Sequence, residues 1–138
     1  MTARESIPLP PLVVVSGTSL HAFERRTGAM VWQATTSSAV RRMLLTDDRV
    51  IVLTSLGSVE CFDLATGALF GSVATRVGQG EALLYDQGTI LVVGTTGVAA
   101  IDLAGRVLWS QPLPVNHEYG LRGAGIPGQI VQPDYDTR

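Results

Sequence analysis

Residues 60–71 read ECFDLATGALFG, and their echo elsewhere in the chain decides the fold. Residues 21–32, HAFERRTGAMVW, and residues 99–109, AAIDLAGRVLW, can be laid beside them. Phe23, Phe62 and Ile101 then recur every 39 residues, and an acid follows each: Glu24, Asp63, Asp102. Thr27-Gly28 and Thr66-Gly67 come next, and Ala104-Gly105 stands one residue early. Trp32 and Trp109 lie four residues past their glycines, whereas the middle copy has Gly71 in that slot and Phe70 just before it.

Outward from these segments each unit opens alike. A β-branched run comes first: Val13–Val15, Val50–Val52, Ile90–Val93. A small polar turn follows: Ser16-Gly17-Thr18, Ser55-Leu56-Gly57, Thr95-Thr96-Gly97. Such runs bounded by Gly, Ser and Thr are hairpin signals. A further apolar strand follows each acid-to-Gly turn, and Val40–Leu45 and Glu81–Tyr85 add one more before the next unit. No window has a helical period. Four short strands per repeat, here named A to D, with a period near 40, mark the blade of a β-propeller. B is the β-branched run, C carries the Phe or Ile, D carries the Trp slot, and A is Val40–Leu45 or Ala82–Tyr85. The expected fold class is all-β, with three four-stranded blades over about 12–48, 49–88 and 89–125. A proline-rich segment, 1–11, precedes them and an arm, 126–138, follows.

Local chemistry accounts for the repeated positions. A carboxylate at the end of strand C, as in Asp63 and Asp102, accepts backbone N–H groups of the turn. Gly28, Gly67 and Gly105 supply positive φ. Trp32 and Trp109 offer large apolar faces to an adjacent blade, with an indole N–H that needs an acceptor. Both are expected to be buried between blades, with Phe70 packing the middle joint less well.

Composition narrows the function. Hydrophobic residues make up 46% of the 138 and charged ones 16%, enough for a core and too few charges for disorder. The formal charge of −2 gives no attraction to nucleic acid. All ten cationic residues are Arg. Cys61, the one cysteine, lies in an apolar strand and reads as a buried, inert thiol, so neither an intrachain disulfide nor a cysteine metal site is expected. The apolar run from Leu12 to Val15 is too short for a signal sequence and follows Pro8, Pro10 and Pro11. No segment has the length of a membrane span, so a soluble, cytoplasmic protein is expected.

The pattern A-x-D-x-x-T-G-x-x-x-W resembles the repeat of pyrroloquinoline-quinone-type β-propellers, the quinoprotein dehydrogenase-like family, over about residues 12–125. The Gly-His and Trp-Asp pairs of WD repeats and the Gly-Gly of kelch repeats are absent. The resemblance implies that the Trp docks between blades and ties to a neighbour's turn. It does not carry over the cofactor. Enzymes of that family have about eight blades, a metal held by carboxylates and Asn, and often adjacent cysteines, against one Asn and one Cys here. Other members are non-catalytic, assembly lipoproteins and sensor domains among them.

The candidate chemistry is correspondingly thin. His21 has Glu60 and Ala99 as counterparts, so its slot is not kept for catalysis, and a solvated strand face is expected. Asp47-Asp48 and Asp86 suit A-to-B turns. Gly94-Thr95-Thr96-Gly97 is a hairpin turn with no helix after it to hold a phosphate. If A strands line a channel, Arg41, Arg42, Arg122 and His117 are the candidate contacts for a small anionic ligand at its mouth. No catalytic, cofactor or metal site is expected. The leading reading is a non-catalytic scaffold or protein-binding module. A quinone-type oxidoreductase subunit and a part of a larger heteromeric propeller are the alternatives. Three blades cannot close around an axis, so a six-bladed homodimer is expected. The first unit begins at strand B, and a surplus A-like strand, Tyr119–Ala124, follows the last. That strand, with Tyr119 and Leu121, would pair with the partner's first blade.

Overall fold

In the computed structural model the described residues are 9–113 and the strands Ala124–Ile126 and Gln129–Val131. They are all-β. The first sheet has three antiparallel strands in the order β1 (Leu12–Ser16), β2 (Ser19–Phe23), β3 (Met30–Thr35). The second has four: β4 (Val40–Leu45), β5 (Arg49–Thr54), β6 (Ser58–Asp63), β7 (Leu69–Ala74). The third repeats that order in β8 (Gly80–Asp86), β9 (Thr89–Gly94), β10 (Gly97–Asp102) and β11 (Val107–Pro112). β12 (Ala124–Ile126) and β13 (Gln129–Val131) form a separate hairpin. Each A strand thus ends a sequence unit and opens the next sheet. The sheets run from 40 to 74 and from 80 to 112, and β4 and β8 lie against each other.

Strand burial follows from stacking. In β5, Val50, Ile51, Val52 and Leu53 are all fully buried, because the second sheet is covered on both faces. Val50 and Val52 join Phe62 and Leu64 against Leu20, Ala22 and Trp32 of the first sheet. Ile51, Leu53, Val59 and Cys61 point the other way, onto Ile90, Val92, Ala99 and Ile101 of the third. Burial raises the Cys61 pKa and keeps the thiol protonated, as befits an inert core residue.

The repeated turn between strands C and D follows one plan three times, one residue shorter in the third sheet. A β-bulge falls just before it in each sheet, at Ala22/Phe23, Cys61/Phe62 and Ala100/Ile101. The acid then gathers backbone donors. Glu24 Oε1 accepts from the amides of Arg26 and Thr27 at 3.1 and 2.8 Å, Asp63 Oδ1 from Ala65 and Thr66 at 2.8 and 2.9 Å, and Asp102 Oδ1 from Ala104 and Arg106, both at 2.9 Å. Gly28, Gly67 and Gly105 have φ of 76°, 79° and 87°. At the far end of strand D, Thr36 and Thr75 are buried and donate their hydroxyls to the carbonyls of Thr18 and Gly57 in the B–C turn of the same sheet.

One strand expectation needs correction. The first sheet has three strands, since no described A strand pairs with β1. Of the surplus strand expected at Tyr119–Ala124, all but Ala124 lies outside the described residues, and Ala124 opens β12, which pairs with β13. Tyr119 and Leu121 lie outside the described residues.

The turn acids give the fold an acid limit. Amide and hydroxyl donors hold Glu24 (chiefly Thr27), Asp63 (chiefly the Thr66 amide) and Asp102 (chiefly the Arg106 amide) below their ordinary pKa. A carboxylate whose folded pKa is depressed contributes stability above its unfolded pKa, and loses it as pH falls through the folded value. The thermal midpoint should therefore be flat from pH 7 to about 5 and fall below about pH 4, where the unfolded carboxyls begin to bind protons. Asp63→Asn combined with Asp102→Asn should flatten that fall, and an acid limb unchanged by the pair would show that other groups set it.

Candidate functional site

The chemistry-bearing surface of this chain is the joint between blades, and the two internal joints differ. At the first, Trp32 on β3 is 8% exposed. Its Nε1 donates to the carbonyl of Leu64 at 2.9 Å, in the turn that Asp63 organises. Its ring lies on Gly67: a Cβ there would come within 2.6 Å of Trp32 Cδ2 and Cε3. The turn glycine therefore supplies both positive φ and a seat for the indole. The N–H is satisfied away from water, which removes the cost of burying it.

At the second joint the Trp slot holds Gly71, and the neighbouring turn comes down onto the backbone. A Cβ at Gly71 would meet the carbonyl oxygen of Ala104 at 2.9 Å, with Gly105 Cα at 3.7 Å. Phe70 does not pack this joint, contrary to the sequence expectation. It is 49% exposed and stacks under the Arg49 guanidinium of its own sheet, 3.7 Å from the ring centroid. Trp109, expected to be buried between blades, is 48% exposed in the single chain, because no described blade covers that face of the third sheet.

The remaining candidates fall into place around these joints. Arg41 and Arg42 lie on β4, the strand against β8, and Arg42 Nη1 donates to the Arg41 carbonyl at 2.9 Å. His117 and Arg122 lie outside the described residues. His21 stacks on Phe23 at 6.4 Å between ring centroids, and so is packed on its strand face. Glu24, Asp47, Asp48 and Asp63 rim an open groove of about 470 Å³ between the first two sheets, with Leu9, Pro10, Val31 and Leu64. Among the described residues no group of three or more His, Cys, Asp or Glu is placed to hold a metal ion.

The sequence reading missed Glu60. It is buried at the first joint, and its carboxylate accepts from the Ser37 amide at 3.3 Å and from the Ser37 hydroxyl, in the link between the first two sheets. Thr54 and Ser58 share a hydrogen bond of 2.7 Å beside it. A lone acid inside VECF was the available signal.

Trp32→Ala should cost about 3–5 kcal/mol in chemical denaturation, the range for a buried Trp. Glu60→Ala should cost about 1–3 kcal/mol by leaving the Ser37 donors without their acceptor. Restoring the repeat's own residue with Gly71→Trp should destabilise the fold, because the Ala104 carbonyl occupies that space. A Gly71→Trp variant as stable as the parent would refute the close approach.

The fold of the described sheets matches solved structures. The match to solved structures includes BamB from Moraxella catarrhalis, at 28% identity and a TM-score of 0.61 over 79% of this chain and 37% of that one. A europium-containing methanol dehydrogenase matches at 18% identity and a TM-score of 0.63, over 81% of this chain and 24% of that one. The computationally designed Ika8 protein matches at 19% and 0.61, over 72% and 33%. The last two share the fold alone. The chain spans about a third of the length of BamB and of Ika8, and no curated protein matches it. The family profile described as outer membrane protein assembly factor BamB matches residues 11–119, most of the chain and all three Trp-slot turns, and the protein belongs to that pyrroloquinoline-quinone-type propeller family.

Proposed function

We propose that the chain is a non-catalytic propeller module that acts by docking, and that it closes a six-bladed ring as a homodimer. The observation that carries this reading is the contrast between Trp32 and Trp109. The same residue at the same repeat position is 8% exposed where a blade covers it and 48% exposed where none of the described sheets does. Leu12 and Val14 on β1 are 46% and 50% exposed at the other end of the stack, and their pairing equivalents, Val50 and Val52, are fully buried. Apolar faces of this kind on both end sheets mark surfaces for a further polypeptide. The free edge of β1 offers a place for an A-type strand of the partner, as β12 is in this chain, which would take the partner's β1 in exchange for β13.

Binding to protein is also the use that the family description suggests, since it names an assembly factor. The alternative, a dehydrogenase subunit with a quinone-type cofactor, rests on fold likeness to the methanol dehydrogenase. Cytoplasmic residence belongs to the same proposal and rests on the sequence alone. Recovery of the protein with the outer membrane on fractionation would overturn it.

Light scattering of the purified protein tests the main reading. The chain mass is 14.6 kDa, and a particle of twice that mass is expected. A monomer that persists at high concentration would overturn the homodimer. Dye-linked dehydrogenase activity on addition of quinone and calcium would overturn the non-catalytic assignment.

A further inference from the structure

The two internal joints obey a matching rule, and the two open ends satisfy it with each other. The Trp32 joint uses a long turn: the Asp63 amide donates to Ala68 O and the Gly67 amide to Asp63 O. The Gly71 joint uses a turn one residue shorter: the Asp102 amide donates to Arg106 O and the Gly105 amide to Asp102 O. Indole meets long turn, and bare glycine meets short turn. The physical reason is depth. The long turn leaves room for a ring between Gly67 and β3, whereas the short turn descends until its Ala104 carbonyl approaches Gly71.

The first sheet's own turn is of the long kind. The Glu24 amide donates to Ala29 O and the Gly28 amide to Glu24 O, the same two bonds as in the Asp63 turn. Its glycine seat is vacant: a Cβ at Gly28 would meet nothing within 4 Å among the described residues. The unfilled tryptophan, Trp109, is at the other end of the stack, beside a groove of about 350 Å³ with Leu91, Ala100 and Thr89.

The strand registers extend the match. Ala22 pairs with both Val13 and Trp32, as Ala100 pairs with both Leu91 and Trp109. The face behind Trp109 therefore repeats the face behind Trp32. The surface that receives Trp32 is made by Val50, Val52 and Phe62, and Val50 pairs with Phe62 as Leu12 pairs with Phe23. The vacant counterpart of that surface is Leu12, Val14 and Phe23.

We propose that Trp109 of one copy docks on the Glu24–Gly28 turn of a second copy, with Nε1 donating to the Arg25 carbonyl and the ring seated on Gly28. Arg25 stands one residue after its acid, where Leu64 stands after Asp63, so only the backbone is used and the change of side chain is neutral to the bond. Arg25 is held clear by its own bond from Nε to the Pro10 carbonyl, 3.0 Å. The inference rests on the homodimer reading and names its contact.

The test uses the full-length protein. Trp109→Ala removes a side chain already half in water, so the three sheets keep their circular dichroism. Dimer affinity should weaken by roughly thirtyfold or more, as for a buried aromatic anchor. In parallel, a photoreactive benzoylphenylalanine at position 109 should cross-link to a second chain within residues 24–28, mapped by mass spectrometry. A wild-type monomer would overturn the homodimer and this contact together. A dimer that keeps its affinity in Trp109→Ala, or a cross-link that maps outside that turn, would overturn this contact and leave the homodimer standing.

Discussion

The indole of Trp32 on the Asp63–Gly67 turn is the contact on which the rest of the stack depends. It joins an outer strand of one sheet to the strand-C turn of the next, and it spans 32 residues of sequence with one hydrogen bond, Nε1 to the Leu64 carbonyl. The bond works because its surroundings are dry. Val50, Val52 and Phe62 exclude water from one side and Leu20 and Ala22 from the other. The turn in turn stands because a carboxylate holds its amides and a glycine takes the φ that a side chain would resist.

Stacking then explains why β5 can be buried at four successive apolar positions. β1, at the end of the stack, is apolar at four successive positions too, but its burial alternates along the strand. A sheet between two others has no wet face, so both sets of side chains are core. The same repeat therefore has different burial in different blades, and the difference is set by neighbours. It also places Cys61 and Glu60 side by side in one strand in opposite chemical roles, the thiol in the core between the second and third sheets and the carboxylate holding Ser37.

Variation within the repeat is compensated across the joint. Gly71 replaces the Trp, and the facing turn is shorter and closer. An unfilled slot of indole size would leave a cavity, costing stability in proportion to its volume. Backbone approach removes it. Phe70, freed from the joint, takes a cation on its face in place of a neighbouring blade.

Sequence alone determined the repeat, the strands of the blades and the acid-and-glycine turns, because these follow from period, β-branched runs and turn chemistry within a few residues. It did not determine which equivalents are buried. Trp32 and Trp109 read alike, and only the presence or absence of a covering sheet distinguishes them. Nor could it assign Phe70 to its own sheet or Gly71 to a joint, since both depend on the height of a turn 33 or more residues away. Glu60 looked like one member of a variable slot, and its partner, Ser37, lies in the link to another sheet. Local propensity acts along the chain, whereas burial and polar satisfaction are settled across space between sheets, and that is where the tertiary structure made the decisions.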